Sequence, residues 1–137
     1  MEDNWKIWLR NGRVMRWGRG IKGIKFPLID EIIVLPSKEF SFEGSNPNIN
    51  NITNLSKDIQ LEYSWKIIRP EITFCKLGSE EIEEKVNKII ELLVIKELLR
   101  YNKNQDMNEM DLTAEIGNKV VEKLDSYGIE IESFLIK

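Results

Sequence analysis

Three features of the sequence predict an α+β domain built on a largely antiparallel sheet. Short segments alternating apolar and polar residues fill the first half. Two stretches of helical periodicity lie mainly within residues 79–127, and an alternating segment returns at 129–136. At 137 residues the chain fits a single domain, residues 1–137, long enough to bury a core without staples.

The elements follow in chain order. Trp5–Arg10 and Arg13–Trp17 are strand candidates joined by Asn11-Gly12, a pair that tolerates positive φ and favours a two-residue hairpin turn. Simple pairing across that turn sets Leu9 opposite Val14, Trp8 opposite Met15 and Lys6 opposite Trp17. Ile7, Leu9 and Val14 then share one face, and Trp8, Met15 and Trp17 the other. After Gly18, Gly20 and Gly23, the stretch Ile24–Asp30 reads as extended, with Pro27 kept out of a central ladder. Glu31–Pro36 and Glu39–Glu43 are further strand candidates. The asparagine-rich stretch from Gly44 to Ser56 reads as a mobile surface loop. Ile59, Leu61, Tyr63, Trp65 and Ile67 then fall on one face of the clearest strand, which ends at Arg69-Pro70.

From there the period becomes helical. Ser79 is the expected N-cap of a helix running from about Glu80 to Tyr101, with glutamates in its first turn and an apolar stripe from Ile82 to Leu98. Leu92, Val94, Ile95 and Leu99 make this helix apolar almost all round, so a second face is expected to pack internally or against another subunit. A polar break at Asn102–Asp106 precedes a second helix. Its stripe is Leu112, Ile116, Val120, Leu124 and Tyr127, and Gly128 closes it. The last strand, Ile129–Ile136, loses its alternation near Ser133, which predicts a bulge.

Composition excludes several chemistries. There is no histidine, so Ser-His or Cys-His nucleophile pairs, imidazole metal sites and histidine pH switches are ruled out. The single cysteine, Cys75, cannot form an internal disulfide and has no base to activate it. Gly18, Gly20 and Gly23 lack the Lys-Ser/Thr of a phosphate loop. Asp106, Glu109 and Asp111 lack the glycine and regular oxygen spacing of an EF-hand. Glu80, Glu81, Glu83 and Glu84 suit a helix start rather than catalysis or metal binding. No enzyme, no metal site and no cofactor is therefore expected. The apolar run Ile89–Ile95 is too short to span a bilayer and the N-terminus lacks a secretory signal, so the expectation is an intracellular protein, cytoplasmic or peripheral on a membrane.

The net charge of −3 is unevenly spread. Residues 1–38 carry eight bases against four acids, and the remainder 12 bases against 19 acids, giving balances of +4 and −7. Trp5, Trp8 and Trp17 sit among the bases of the basic end. Indoles beside cations suit a lipid headgroup layer, while the same residues would also serve as core and cross-strand partners. The outer face of the hairpin, with Trp5, Trp8, Arg10, Arg13 and Trp17, is the expected membrane or partner contact. Nucleic acid is disfavoured by the acidic remainder.

The order of motifs resembles the stomatin/prohibitin/flotillin family, also called SPFH or band 7 domains. Arg13–Arg19 followed by Gly23–Asp30 is similar to the family's opening strand and its basic-Phe-x-Pro-aliphatic-aliphatic-Asp stretch. Leu61–Glu71 is similar to its long strand ending in Asp-Pro-Glu, here Arg69-Pro70-Glu71, and Ser126–Ser133 to its Tyr-Gly-Ile-Glu-Val-Glu-Ser signature. The resemblance implies a curved antiparallel sheet packed with helices, structural roles for Gly23, Pro27, Asp30, Pro70 and Gly128, and a non-enzymatic scaffold that oligomerises at membranes. The implied partners are further copies of the chain, other SPFH proteins, a membrane surface or a membrane protease. Family members usually carry an anchor before the domain and a coiled coil after it, and neither falls within these residues. The expectation is an excised domain or a stand-alone version, and the alternative to a scaffold is a soluble module that engages a larger relative or a protease.

Overall fold

A computed structural model describes residues 4–47, 49, 59–101 and 109–137. Among the described residues it places two antiparallel three-stranded sheets and three long helices, an α+β fold. The first sheet has the order β2-β1-β3, from β1 (Trp5–Arg10), β2 (Arg13–Gly18) and β3 (Asp30–Leu35). The second has the order β4-β5-β6, from β4 (Phe40–Ser45), β5 (Gln60–Ile67) and β6 (Ile129–Ile136).

The period-two pattern of β5 translates directly into burial. Leu61, Tyr63, Trp65 and Ile67 are buried, while Glu62, Ser64 and Lys66 between them are partly exposed. Its central place lets aromatic rings stack across the ladder. Phe40 lies 4.5 Å from Trp65 and Phe42 5.3 Å from Tyr63, each pair in register. Tyr63 also stacks on Phe134 of β6. The expected bulge is present: Ser64 pairs with Ser133 but Trp65 pairs with Ile131, leaving Glu132 as the extra residue.

Helices among the described residues cover the core: α1 (Pro70–Leu77), α2 (Ile82–Tyr101) and α3 (Glu109–Asp125). α1 was not expected, and Cys75, read as lying between a strand and a helix, is an exposed residue of it. Eight residues rich in β-branched and aromatic side chains give little helical period. Pro70 at the helix start and the Thr73 Oγ1 bond to Tyr127 O, 2.6 Å, supply what propensity does not. Ser79 is not the cap of α2. The helix starts at Ile82, after Glu81 adopts a φ of +53°, and Glu81 O accepts the first bond from Lys85 N. Ile82, Val86, Ile90, Val94 and Leu98 form its buried stripe. Ile95 is buried too, while Leu92 and Leu99 stay exposed, so the second face is only partly internal.

In α3, Ile116, Val120 and Leu124 are fully buried, and Gly117 lets the helix approach the Phe134 ring of β6. The helix ends as expected at Gly128, with φ +76° and its N–H bonded to Asp125 O. The asparagine-rich loop lies mostly outside the described residues, as does the polar break at 102–106. Within the loop Ile49 is fully buried, which corrects a wholly surface reading at that position. The two sheets share one core, which joins Ile7, Leu9 and Leu35 to the β5 and helix residues, and the Trp5 indole N–H bonds Ile67 O across 2.9 Å.

Candidate functional site

The basic end forms the first sheet and the connection from Gly18 to Asp30. Asn11 and Gly12, at φ +52° and +78°, make the expected two-residue turn, in which both positions need a left-handed backbone. The register beyond it differs from simple pairing. Leu9 faces Val14, but Trp8 then faces Arg16 and Ile7 faces Trp17, so Met15 is an extra residue in a bulge. The bulge turns Trp17 onto the face of Ile7, where it meets Trp5 edge to face at 5.7 Å, and brings the Arg16 guanidinium over the Trp8 ring at 5.0 Å.

Trp8 is therefore not an outward contact. It is 2% exposed, because β1 is buried on both faces: its outer side lies under Arg16 and under the backbone of Gly23. A Cβ on Gly23 would come within 2.7 Å of the Trp8 ring, so only glycine allows the strap to lie this close. The sequence pattern alone could not show this, since the cover comes from an irregular segment 15 residues away.

Arg10 is also committed internally. Its Nε and Nη2 donate to Asp30 Oδ1 and Oδ2 at 2.7 and 3.0 Å, and its guanidinium stacks over Phe26 at 5.0 Å. The Arg10 guanidinium holds the Asp30 carboxyl well below the usual carboxylate range. Desolvation opposes this, and the Phe26 amide, 2.9 Å from Oδ2, reinforces it. The Trp8 Nε1–H also lowers the Asp30 carboxyl, although it falls short of hydrogen-bond geometry.

Asp30 thereby shapes the segment before it. Phe26 O accepts from Ile29 N at 3.1 Å and from Asp30 N at 2.8 Å, and Asn11 N donates to Ile29 O at 2.8 Å. Residues 26–29 thus form a tight turn with Pro27 at its second position, where the fixed φ of proline fits. The extended reading of Ile24–Asp30 is corrected here: only Asp30 enters a strand. The turn projects Leu28, which is 98% exposed, with Ile24 at 78% and Phe26 at 49%.

Of the five residues expected to form a contact, Arg13 and Trp17 are exposed, the latter by 39%. Trp5 is half-buried beneath Trp17 and Arg19, whose guanidinium lies 4.9 Å over its ring. Trp8 is buried, and Arg10 is partly exposed but tied to Asp30. The sequence reading missed Ile24, Phe26, Leu28 and Ile29, although Pro27 preceded by an aromatic and followed by aliphatics carried a usable turn signal. Pro70 is buried at the start of α1, and Gly128 passes so close to Arg69 that an added Cβ would meet its carbonyl oxygen at 2.3 Å. Among the described residues no group of three or more acidic or cysteine side chains is placed to hold a metal, and no helix is long and apolar enough to cross a membrane.

The two antiparallel sheets and the helices among the described residues form an α+β fold consistent with a stomatin/prohibitin-type module. The chain belongs to the SPFH domain / Band 7 family, whose model matches residues 2–137. No curated protein matches the chain.

Proposed function

We propose that the protein is a non-enzymatic scaffold module that works at an anionic membrane surface and associates laterally with further copies of itself. The observation that carries this reading is the charge of the first sheet and its strap. Residues 4–29 contain seven bases and no acid. Among the described residues only Arg10 of these is neutralised by a buried carboxylate, and Arg13, Arg16, Arg19, Lys22 and Lys25 are all exposed. A cation near an anionic bilayer contributes about 1 kcal/mol, so several together bind usefully at low salt and weakly at high salt.

Lateral association is favoured by the opposite character of the second sheet. Glu43, Glu62, Glu130 and Glu132 lie around Lys66 and Lys137, which pair with Glu132 at 2.9 Å and Glu62 at 3.1 Å. That surface keeps an acidic excess, to which the cationic lobe of a neighbouring copy is complementary. The test is co-sedimentation with phosphatidylserine-containing vesicles at low and high salt, with light scattering in both conditions. Failure to sediment at low salt removes the membrane role, and a strict monomer at high concentration with and without lipid removes self-association. Recovery of a larger SPFH protein or a membrane protease by a monomeric chain would favour a soluble binding module instead.

A further inference from the structure

We propose that the free edge of β3 is a docking site for an extended, acidic segment of a partner protein, which adds to the first sheet as a further strand. This goes beyond the membrane reading and needs neither lipid nor self-association. β3 stands last in the β2-β1-β3 order, so one side of its backbone has no neighbouring strand in that sheet.

The ladder fixes which groups face that side. Asn11 N donates to Ile29 O, and antiparallel alternation then turns the main-chain groups of residues 29, 31, 33 and 35 toward β1. Asp30, Ile32 and Val34 point theirs outward. Asp30 N is already bonded to Phe26 O at 2.8 Å, and Pro36, next in the outward series, has no N–H. The amides and carbonyls of Ile32 and Val34 remain, without a partner among the described residues.

The other edges are protected. β2 is interrupted by the Met15 bulge and carries arginines, and β4 carries Glu43 and Gly44. On β6, Gln60 and Lys137 exchange ladder bonds of 3.2 and 2.9 Å, which turns the main chain of Ile136 outward. Thr113 Oγ1 of α3 closes that edge, accepting from Ile136 N at 3.1 Å and donating to Ile136 O at 3.3 Å. β3 pairs with β1 without a bulge and carries no lysine, so it lacks the devices that discourage strand addition.

Side chains and charge select the occupant. Ile32 and Val34 share the outer face and are 37% and 49% exposed. Lys6 lies opposite Val34 on that face, with Arg13 and Arg16 on β2, while the Asp30 carboxylate is engaged by Arg10. Glu31 lies on the opposite face. A strand with carboxylates beside alternating apolar residues is therefore complementary, its backbone supplying affinity and its apolar side chains the register. The β3 edge of a second copy suits the site less, because pairing would bring two cationic faces together.

The test titrates the full chain with the fluorescently labelled peptide Asp-Val-Thr-Val-Glu-Val-Asp, read by anisotropy. Directly opposed residues share a face, so the valine amides are the ones that meet Ile32 and Val34. N-methylating the valines should weaken binding at least about tenfold, and N-methylating the threonine and glutamate far less. Exchanging every acid for lysine should also weaken it at least about tenfold, with the gap narrowing at high salt. Val34→Pro removes a donor that no ladder bond uses, so the protein should stay folded yet bind the parent peptide at least about tenfold less. The N-methylated series reads the same contact on the wild-type chain, whatever that variant does to folding. In hydrogen exchange, the Ile32 and Val34 amides should be open in the free chain and gain protection with peptide. Equal binding of the lysine peptide or of the valine-methylated peptide overturns the proposal, as does prior protection of both amides. Dimers that form without peptide and vanish in Val34→Pro would assign the edge to a second copy and overturn it too. If no peptide binds, the proposal falls and the membrane reading stands.

Discussion

Replacing Gly128 with alanine tests how the C-terminal strand is joined to the rest of the fold. Gly128 has φ +76°, a conformation that costs an L-residue about 1–2 kcal/mol. Its missing Cβ would also sit 2.3 Å from Arg69 O, where van der Waals contact needs roughly 3.5 Å. Relief requires the two backbones to part by on the order of 1 Å. That motion strains two hydrogen bonds, from Ile68 N and Arg69 N to Gly128 O at 2.9 and 3.0 Å, and the Thr73 bond to Tyr127 O. Each is worth about 1 kcal/mol net, so Gly128→Ala should cost about 3–5 kcal/mol in total. Gly12→Ala is the matched control, with φ +78° and nothing within 4 Å of its added Cβ, and should cost only the conformational part. Urea denaturation followed by tryptophan fluorescence gives both values. The gap of about 2–3 kcal/mol corresponds to roughly 10 °C in Tm for a chain of this size. Equal midpoint shifts for the two variants, at unchanged m, would refute the steric argument.

Three further outcomes are expected. Asp30 is ionised in the folded protein far below its ordinary value of 3.8, so its contribution to stability is complete above that value. It declines only as pH falls below it, because the unfolded chain takes up the proton first; Asp30→Asn should flatten the acid limb of the stability curve and speed hydrogen exchange at Phe26 and Ile29. Tyr63 is pushed well above the usual phenol range by burial, with Glu91 and Glu83 adding to it, while its hydroxyl donates to Asn87 Oδ1 at 3.0 Å. Of the three tyrosines it should therefore ionise well above the ordinary phenol value in an alkaline ultraviolet titration, and Tyr63→Phe should remove that delayed step. Leu124→Ala, at a fully buried site on the stripe of α3, should lower stability by about 2–5 kcal/mol in chemical denaturation without altering vesicle binding.

Much of the fold was legible where a local period coincides with a face. The alternation of β5, the stripe of α3 and the bulge near Ser133 each follow from spacing, because one face of each element had to be buried, and the Asn11-Gly12 turn follows from its tolerance of positive φ. α1 was not legible: eight residues carry too little period, and its support comes from Tyr127, far along the chain. The cap of α2 was misplaced because Glu81, rather than Ser79, takes the left-handed backbone that starts the helix.

For the lobe, the sequence by itself determined a cationic, tryptophan-rich hairpin, since charge and turn chemistry are local properties of the chain. The order of its motifs likewise pointed to the SPFH class. Only tertiary structure decided which residues face outward. One bulge at Met15 exchanged the partners of Arg16 and Trp17, the Gly23 strap closed over Trp8, and Arg10 was drawn to Asp30. Exposure depends on what covers a residue from elsewhere in the chain, and that cover is set by long-range packing that no local period records.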